Sequence, residues 1–170
     1  VVLVTESKNT FLQKALESSP LVELTVANPP IVPYKEADVL IFHEVNIDRL
    51  LDGTMEEVRS AVENGLNVVF NYQDAPPKTE LLPIDVNGFG ANQSDVFLKV
   101  VNTITQDRNF GVVTKYYAAT AKPGAIVLAS TLSEDPLLVL REIGSGKVFY
   151  FGIPEKYSDF KFSPHFPLFW

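Results

Sequence analysis

The chain has 170 residues, 46% of them hydrophobic, a formal charge of −7 and no cysteine. That length and apolar content suffice for one domain with its own core, spanning residues 1–170, and fall short of two. The acidic balance, with basic residues scattered, excludes the clustered Lys and Arg face that nucleic-acid binding needs, and the lack of cysteine excludes disulfides, thiolate metal sites and a cysteine nucleophile.

Val1-Val2-Leu3-Val4 reads as a buried parallel strand. Asn9 or Thr10 can cap a following helix whose Phe11, Leu12, Ala15 and Leu16 share one face. Val22 to Val26 alternates as a second strand, and Asn28-Pro29-Pro30 with Pro33 predicts an extended connection in place of a helix. Val39-Leu40-Ile41-Phe42 is a third, continuously apolar strand. Thr54 with Glu57 predicts a capping box, Met55, Val58, Ala61 and Val62 line one helix face, and Gly65 stops that helix. The chain then enters the strand Leu66 to Phe70 and leaves it through the polar turn Asn71 to Asp74. Runs apolar on both faces predict a mostly parallel sheet with helices on both faces, a flavodoxin-like, doubly wound arrangement.

After Asp74 the pattern changes. Pro76-Pro77, Pro83, Gly88 and Gly90 predict a long loop. Lys115 to Ala121 and Ala125 to Ser130 flank Lys122-Pro123-Gly124 as one hairpin, and Leu137 to Ile143 and Lys147 to Gly152 flank Gly144-Ser145-Gly146 as a second. The expectation is an antiparallel C-terminal hairpin extension on a parallel core, followed by an extended tail that packs Phe160, Phe162 and Phe166 against that core. The chain starts inside a strand and ends on Phe166-Pro167-Leu168-Phe169-Trp170, so it reads as a piece of a longer protein.

The helix ending in Glu63-Asn64-Gly65 and the strand after it resemble the helix-glycine-strand passage of class I glutamine amidotransferase-like folds. Gly144-Ser145-Gly146-Lys147-Val148-Phe149-Tyr150-Phe151-Gly152, with Ser158-Asp159-Phe160 and Phe166-Pro167, is similar to a narrower group. In that group such domains adjoin von Willebrand factor type A domains in membrane-anchored proteins of the aerotolerance (Bat) type. True amidotransferases carry a Gly-x-Cys-x-Gly elbow after this strand, where this chain has Asn71-Tyr72-Gln73-Asp74-Ala75. The resemblance thus implies a non-catalytic domain that works through a protein partner or a neighbouring domain of the same chain. It also implies a membrane-attached protein, anchored by segments outside these residues.

Ligands of open α/β sheets bind beyond the carboxyl ends of the strands. The candidate ligand-binding residues are therefore Glu6 and Ser7 after the first strand, His43 and Glu44 after the third, and Asn71, Tyr72 and Asp74 after the fourth. Such residues would serve a hydrolase or a binder of a carbohydrate, amide or flavin. Neighbours on a strand point to opposite faces, so His43 and Glu44 share a pocket only if the chain turns there. The hydroxyl-rich stretch Thr5 to Thr10 resembles the flavodoxin phosphate loop, but Lys8 stands where that loop has glycine, and helix capping is the favoured role. No catalytic residue, no metal site and no cofactor is expected.

Overall fold

The structure, a computed structural model, describes residues 1–90, 92–100, 105 and 109–170. In chain order it comprises β1 (Val2–Val4), α1 (Phe11–Ser18), β2 (Thr25–Ala27), β3 (Val39–Phe42), α2 (Thr54–Glu63) and β4 (Asn67–Asn71). There follow β5 (Ile84–Gly90), β6 (Ser94–Asp95), β7 (Phe97–Leu98), β8 (Val112–Val113), β9 (Tyr116–Ala121), β10 (Ile126–Ser130), β11 (Pro136–Ile143), β12 (Gly146–Phe151) and α3 (Phe166–Phe169).

The fold is α/β, built on one large mixed sheet of eight strands in the order β2-β1-β3-β4-β12-β11-β10-β7. From β2 to β12 every pairing is parallel, and from β12 to β7 every pairing is antiparallel. The buried runs Val2-Leu3-Val4 and Leu40-Ile41-Phe42 are two of its interior strands, as continuous apolar strands must be. Two apolar clusters form. One gathers Val2, Val4, Leu40 and Phe42 with Val58 and Val62 of α2, and the other gathers Leu3 and Ile41 with Leu12 and Leu16 of α1.

The Gly144-Ser145-Gly146 turn seats β12 beside β4. Gly144 has φ +60, and a Cβ there would lie 2.4 Å from the Glu63 carbonyl oxygen, so this corner fits against the end of α2 only as glycine. The Ser145 N–H donates to that same Glu63 carbonyl at 3.0 Å.

Several local expectations are corrected. Gly53, with φ +82, is the N-cap of α2, so Thr54 is already inside the helix and no capping box forms; Glu57 instead accepts a hydrogen bond from the Tyr34 hydroxyl at 2.9 Å. The expected loop 76–90 contains β5, which pairs with β9 in a separate two-stranded sheet. Consequently β9 and β10 are not a hairpin. The Lys122-Pro123-Gly124 turn hands the chain from the small sheet to the large one, where β10 pairs with β11 and β7. The β11–β12 hairpin forms in register from Leu138↔Phe151 to Ile143↔Gly146.

The tail is folded into short 3-10 turns at Glu155–Tyr157 and Phe160–Phe162 and a single helical turn, α3, where an extended run was expected. Phe160 and Phe166 are buried against Phe110, Phe151 and Phe169, but Phe162 is 72% exposed and touches only the edge of Phe11 among ring contacts. Backbone turns alternate the faces, so two of the three rings point inward. Phe160→Ala is expected to cost about 3–5 kcal/mol of unfolding free energy by leaving a ring-sized cavity, whereas Phe162→Ala should cost less than about 1 kcal/mol. Urea denaturation of the two variants measures this, and equal losses would mean that Phe160 does not anchor the tail.

Candidate functional site

The strands β1, β3, β4 and β12 run parallel and end side by side, with Leu3 opposite Ile41, Ile41 opposite Val69, and Phe151 opposite Asn71. Side chains alternate along a strand, so Thr5, His43, Asn71 and Phe151 project from the same face at the same level. Thr5, His43, Asn71 and Phe151 are all buried there. The strand ends open into a cleft of about 290 Å³.

All the residues singled out from the sequence line it: Glu6, Ser7, His43, Glu44, Asn71, Tyr72 and Asp74. The backbone at Glu44 explains how His43 and Glu44 reach one cleft, because Glu44 takes the left-handed conformation with φ +47 and the chain turns on leaving β3. The Glu6 N–H then donates to the Glu44 carbonyl at 3.3 Å, tying the ends of β1 and β3 together. Thr5 shapes the loop after β1 by accepting the Ser7 N–H at 3.1 Å, while Thr10 caps α1 by accepting the Gln13 N–H at 3.1 Å.

Gln73, Phe151, Glu155, Lys156, Phe166 and Trp170 also line it, and the sequence reading did not assign them. The signal existed for Glu155 and Lys156: they follow β12, and the strand-end rule applies to any strand of the parallel set. It was hidden because β12 reads as half of a hairpin, and its parallel pairing with β4 is set by tertiary contact. Glu155 is held by α1, whose Phe11 and Leu12 N–H groups donate to its carboxylate at 3.1 and 2.7 Å. Those are unpaired donors of a helix N-terminus, where a carboxylate is favoured.

The charges of the cleft are internally matched. Glu6 pairs with Arg49 at 2.9 Å, Asp74 with Lys115 at 3.2 Å, and Glu44 with Lys156 at 3.3 Å and with the Ser7 hydroxyl. Burial pushes the Glu44 carboxyl up, but the Ser7 hydroxyl, His43 and Lys156 together outweigh it and hold it below its ordinary value. Burial raises Glu155 despite its two backbone donors. Burial also pushes His43 down to about 4, against the pull of Glu44, so the imidazole is neutral at pH 7. Asn71 Nδ2 lies 3.1 Å from His43 Nδ1; with the amide donating, Nδ1 accepts and Nε2 carries the proton. That Nε2 is 3.6 Å from Glu155 Oε1, beyond hydrogen-bond length.

What stays unpaired is a set of neutral dipoles. His43 Nε2, Asn71 Oδ1, Gln73 Nε2 and Trp170 Nε1 are buried without a hydrogen-bond partner in the chain, and each belongs to a residue of the cleft. Gln73 is positioned from the small sheet: the buried Tyr117 hydroxyl of β9 donates to the Gln73 carbonyl and accepts the Gln73 N–H. The hydroxyls of Tyr72 and Tyr150 are also buried without a partner; Tyr72 borders the cleft with its ring packed on Tyr117 and Tyr157, and Tyr150 is not a residue of the cleft. Among the described residues, no group of three or more His, Asp or Glu side chains could hold a metal ion.

Structures of known proteins share this architecture. The Cytoplasmic Protein STM1381 from Salmonella typhimurium LT2 matches with a TM-score of 0.82 at 16% identity, over 99% of this chain and 95% of that one. A beta-galactosidase from Bacillus circulans sp. alkalophilus matches with a TM-score of 0.69 at 15% identity, over 95% of this chain but 29% of the enzyme. A ThuA-like protein from Parabacteroides merdae ATCC 43184 matches with a TM-score of 0.64 at 12% identity, over 99% of this chain and 85% of that one. At such identities the likeness is one of fold alone. No curated protein sequence matches the chain. The expectation of membrane attachment is corrected here, because the Salmonella relatives in fold are described as cytoplasmic proteins and no helix among the described residues is long and apolar enough to cross a membrane. A family profile covers residues 1–170, and the chain belongs to the family described as Domain of unknown function (DUF7408).

Proposed function

We propose that this chain is a non-catalytic binding domain for a small polar ligand, held in the cleft beyond β1, β3, β4 and β12. The observation that carries the reading is the set of buried, unpartnered polar atoms at His43, Asn71, Gln73 and Trp170 that share one cleft. Leaving a buried polar group unpaired costs about 1–3 kcal/mol each, a cost that a bound ligand's hydrogen bonds would offset. This favours ligand binding over the purely structural role that the amidotransferase resemblance implies.

The finer architecture is part of the proposal: a flavodoxin-like, class I amidotransferase-like domain with α1 and α2 on opposite faces. Its support is the division of the strands, since Leu3 and Ile41 pack with α1 while their neighbours Val2, Val4, Leu40 and Phe42 pack with α2. Nucleophilic chemistry is not part of it. The elbow position carries Asn71, Tyr72 and Gln73, and Ser7 donates to Glu44, whose lowered proton affinity makes it a poor base. A cleft of about 290 Å³ lies at the small end of ligand pockets and is far from a flavin nucleotide's needs.

The test is a thermal-shift screen with small neutral polar compounds: monosaccharides, polyols and primary amides. A true ligand at 100 times its Kd stabilises the fold by about 2.7 kcal/mol, a rise of several degrees in Tm. Asn71→Leu and Gln73→Met should abolish that rise. No compound shifting the wild type, or an equal shift in both variants, would overturn the reading.

The neutral imidazole has a separate consequence. Between the ordinary histidine value of 6.5 and about 4, the unfolded chain takes up a proton at His43 that the folded chain refuses, so stability falls as pH falls through that window. Glu44, with its lowered carboxyl, acts in the same direction at lower pH, while Glu155, with its raised one, acts in the opposite direction. Replacing His43 by Gln removes the first contribution and weakens the second, because His43 is one of the groups that lower the Glu44 carboxyl. Denaturant melts at pH 7 and pH 4 should show the wild type losing on the order of 3 kcal/mol more than His43→Gln; parallel losses would contradict a buried neutral histidine.

A further inference from the structure

Resting on the binding reading above, we infer that the ligand is a neutral, single-ring polyhydroxy compound of the monosaccharide class, hydrogen-bonded by His43, Asn71 and Gln73 and bordered by Trp170. Three features of the cleft select this chemistry. First, its carboxylates are already matched: Glu6 by Arg49, Asp74 by Lys115, Glu44 by Lys156, and Glu155 by the N–H groups opening α1. An ammonium ligand would have to displace one of these partners, and an anion would face the carboxylates of Glu44 and Glu155. The cleft residues' groups that lack partners are two amides, an imidazole, an indole and the Tyr72 phenol, which carry no charge.

Second, those groups mix donors with an acceptor. His43 Nε2–H, Gln73 Nε2 and the Trp170 indole N–H donate, and Asn71 Oδ1 accepts, all on residues that line one cleft of about 290 Å³. A hydroxyl both donates and accepts and rotates to suit, so a ring carrying several hydroxyls can satisfy such a set. A primary amide offers two lone pairs on one carbonyl oxygen and two N–H donors, all fixed in a plane, so it leaves one of the three protein donors unserved and has one donor too many for the single acceptor. Third, Phe151, Phe166 and Trp170 form an apolar side to the same cleft, with the Phe151 and Trp170 rings 4.9 Å apart between centroids. An apolar wall beside a few directed polar groups suits the C–H face of a sugar ring.

Trp170 is the sole tryptophan of the chain, so its fluorescence reports on this cleft alone. The purified protein is titrated with D-glucose, D-galactose and D-mannose, with the corresponding uronic acids, and with glutamine and acetamide as primary amides. The expected result is a saturable change in Trp170 emission with at least one neutral hexose. The matching uronate should bind at least tenfold more weakly, as should the hexose to Asn71→Leu and Gln73→Met. Circular dichroism confirms that each variant is folded, and Gln73→Met stands in if Asn71→Leu is not. If only an amide binds, and does so through Asn71, the sugar assignment falls and the binding domain stands. A uronate bound as tightly as its hexose overturns the neutral selectivity. No saturable response with any compound, by fluorescence or by melting, overturns both the assignment and the reading beneath it.

Discussion

The parallel pairing of β12 with β4 is the constraint on which the rest of this structure depends. It places a strand from the far end of the chain beside the strand that ends at Asn71, in the register Val148↔Val68 to Phe151↔Asn71. From that pairing follow both the extent of the sheet and the position of everything after Phe151. The pairing is itself held by the turn before it, where Gly144 and Ser145 fit against Glu63 at the end of α2. A side chain at Gly144 would drive this corner off the helix.

With β12 in place, the tail has a surface to fold against. Phe160, Phe166 and Phe169 gather around Phe151, and this aromatic cluster fixes the approach of Glu155 to α1 and of Trp170 to the cleft. The small sheet of β5 and β9 braces the other side. Tyr117 holds both backbone polar groups of Gln73, and its ring packs on Tyr72 and Tyr150, so the segment beyond β4 is clamped from a separate element. Residues held this way would lose little further freedom in binding the proposed ligand, which is the physical meaning of preorganisation.

The electrostatics separate charge from polarity. Glu6, Glu44 and Asp74 face partners of opposite sign, Glu155 faces the N–H groups opening α1, and the most buried titratable group of the cleft, His43, is neutral because burial penalises the imidazolium more than Glu44 favours it. A neutral imidazole with one nitrogen engaged by Asn71 presents a defined donor, Nε2–H. The site thus differs from an acid-base centre: its carboxylates are committed to salt bridges or to a helix terminus, and its open valences belong to uncharged groups.

Much of this was legible from residue order. Runs such as Val2-Leu3-Val4 and Leu40-Ile41-Phe42 declare buried strands because nothing polar interrupts them, and polar residues directly after such runs declare strand ends, which is how His43, Glu44 and Asn71 could be singled out. Other features were beyond local reading. Ile84–Gly90 looks like a loop because Gly88 and Gly90 interrupt it, and it is a strand only through pairing with Tyr116–Ala121. Lys122-Pro123-Gly124 has the chemistry of a hairpin turn, yet the strands it joins belong to different sheets. The left-handed turn at Glu44, the capture of Glu155 by α1 and the arrival of Trp170 at the cleft have no local signature either. Local sequence determined which segments bury and where they end, because that depends on the periodicity of apolar side chains; which ends meet was decided by tertiary structure, because strand partnership and convergence depend on contacts between segments distant in the chain.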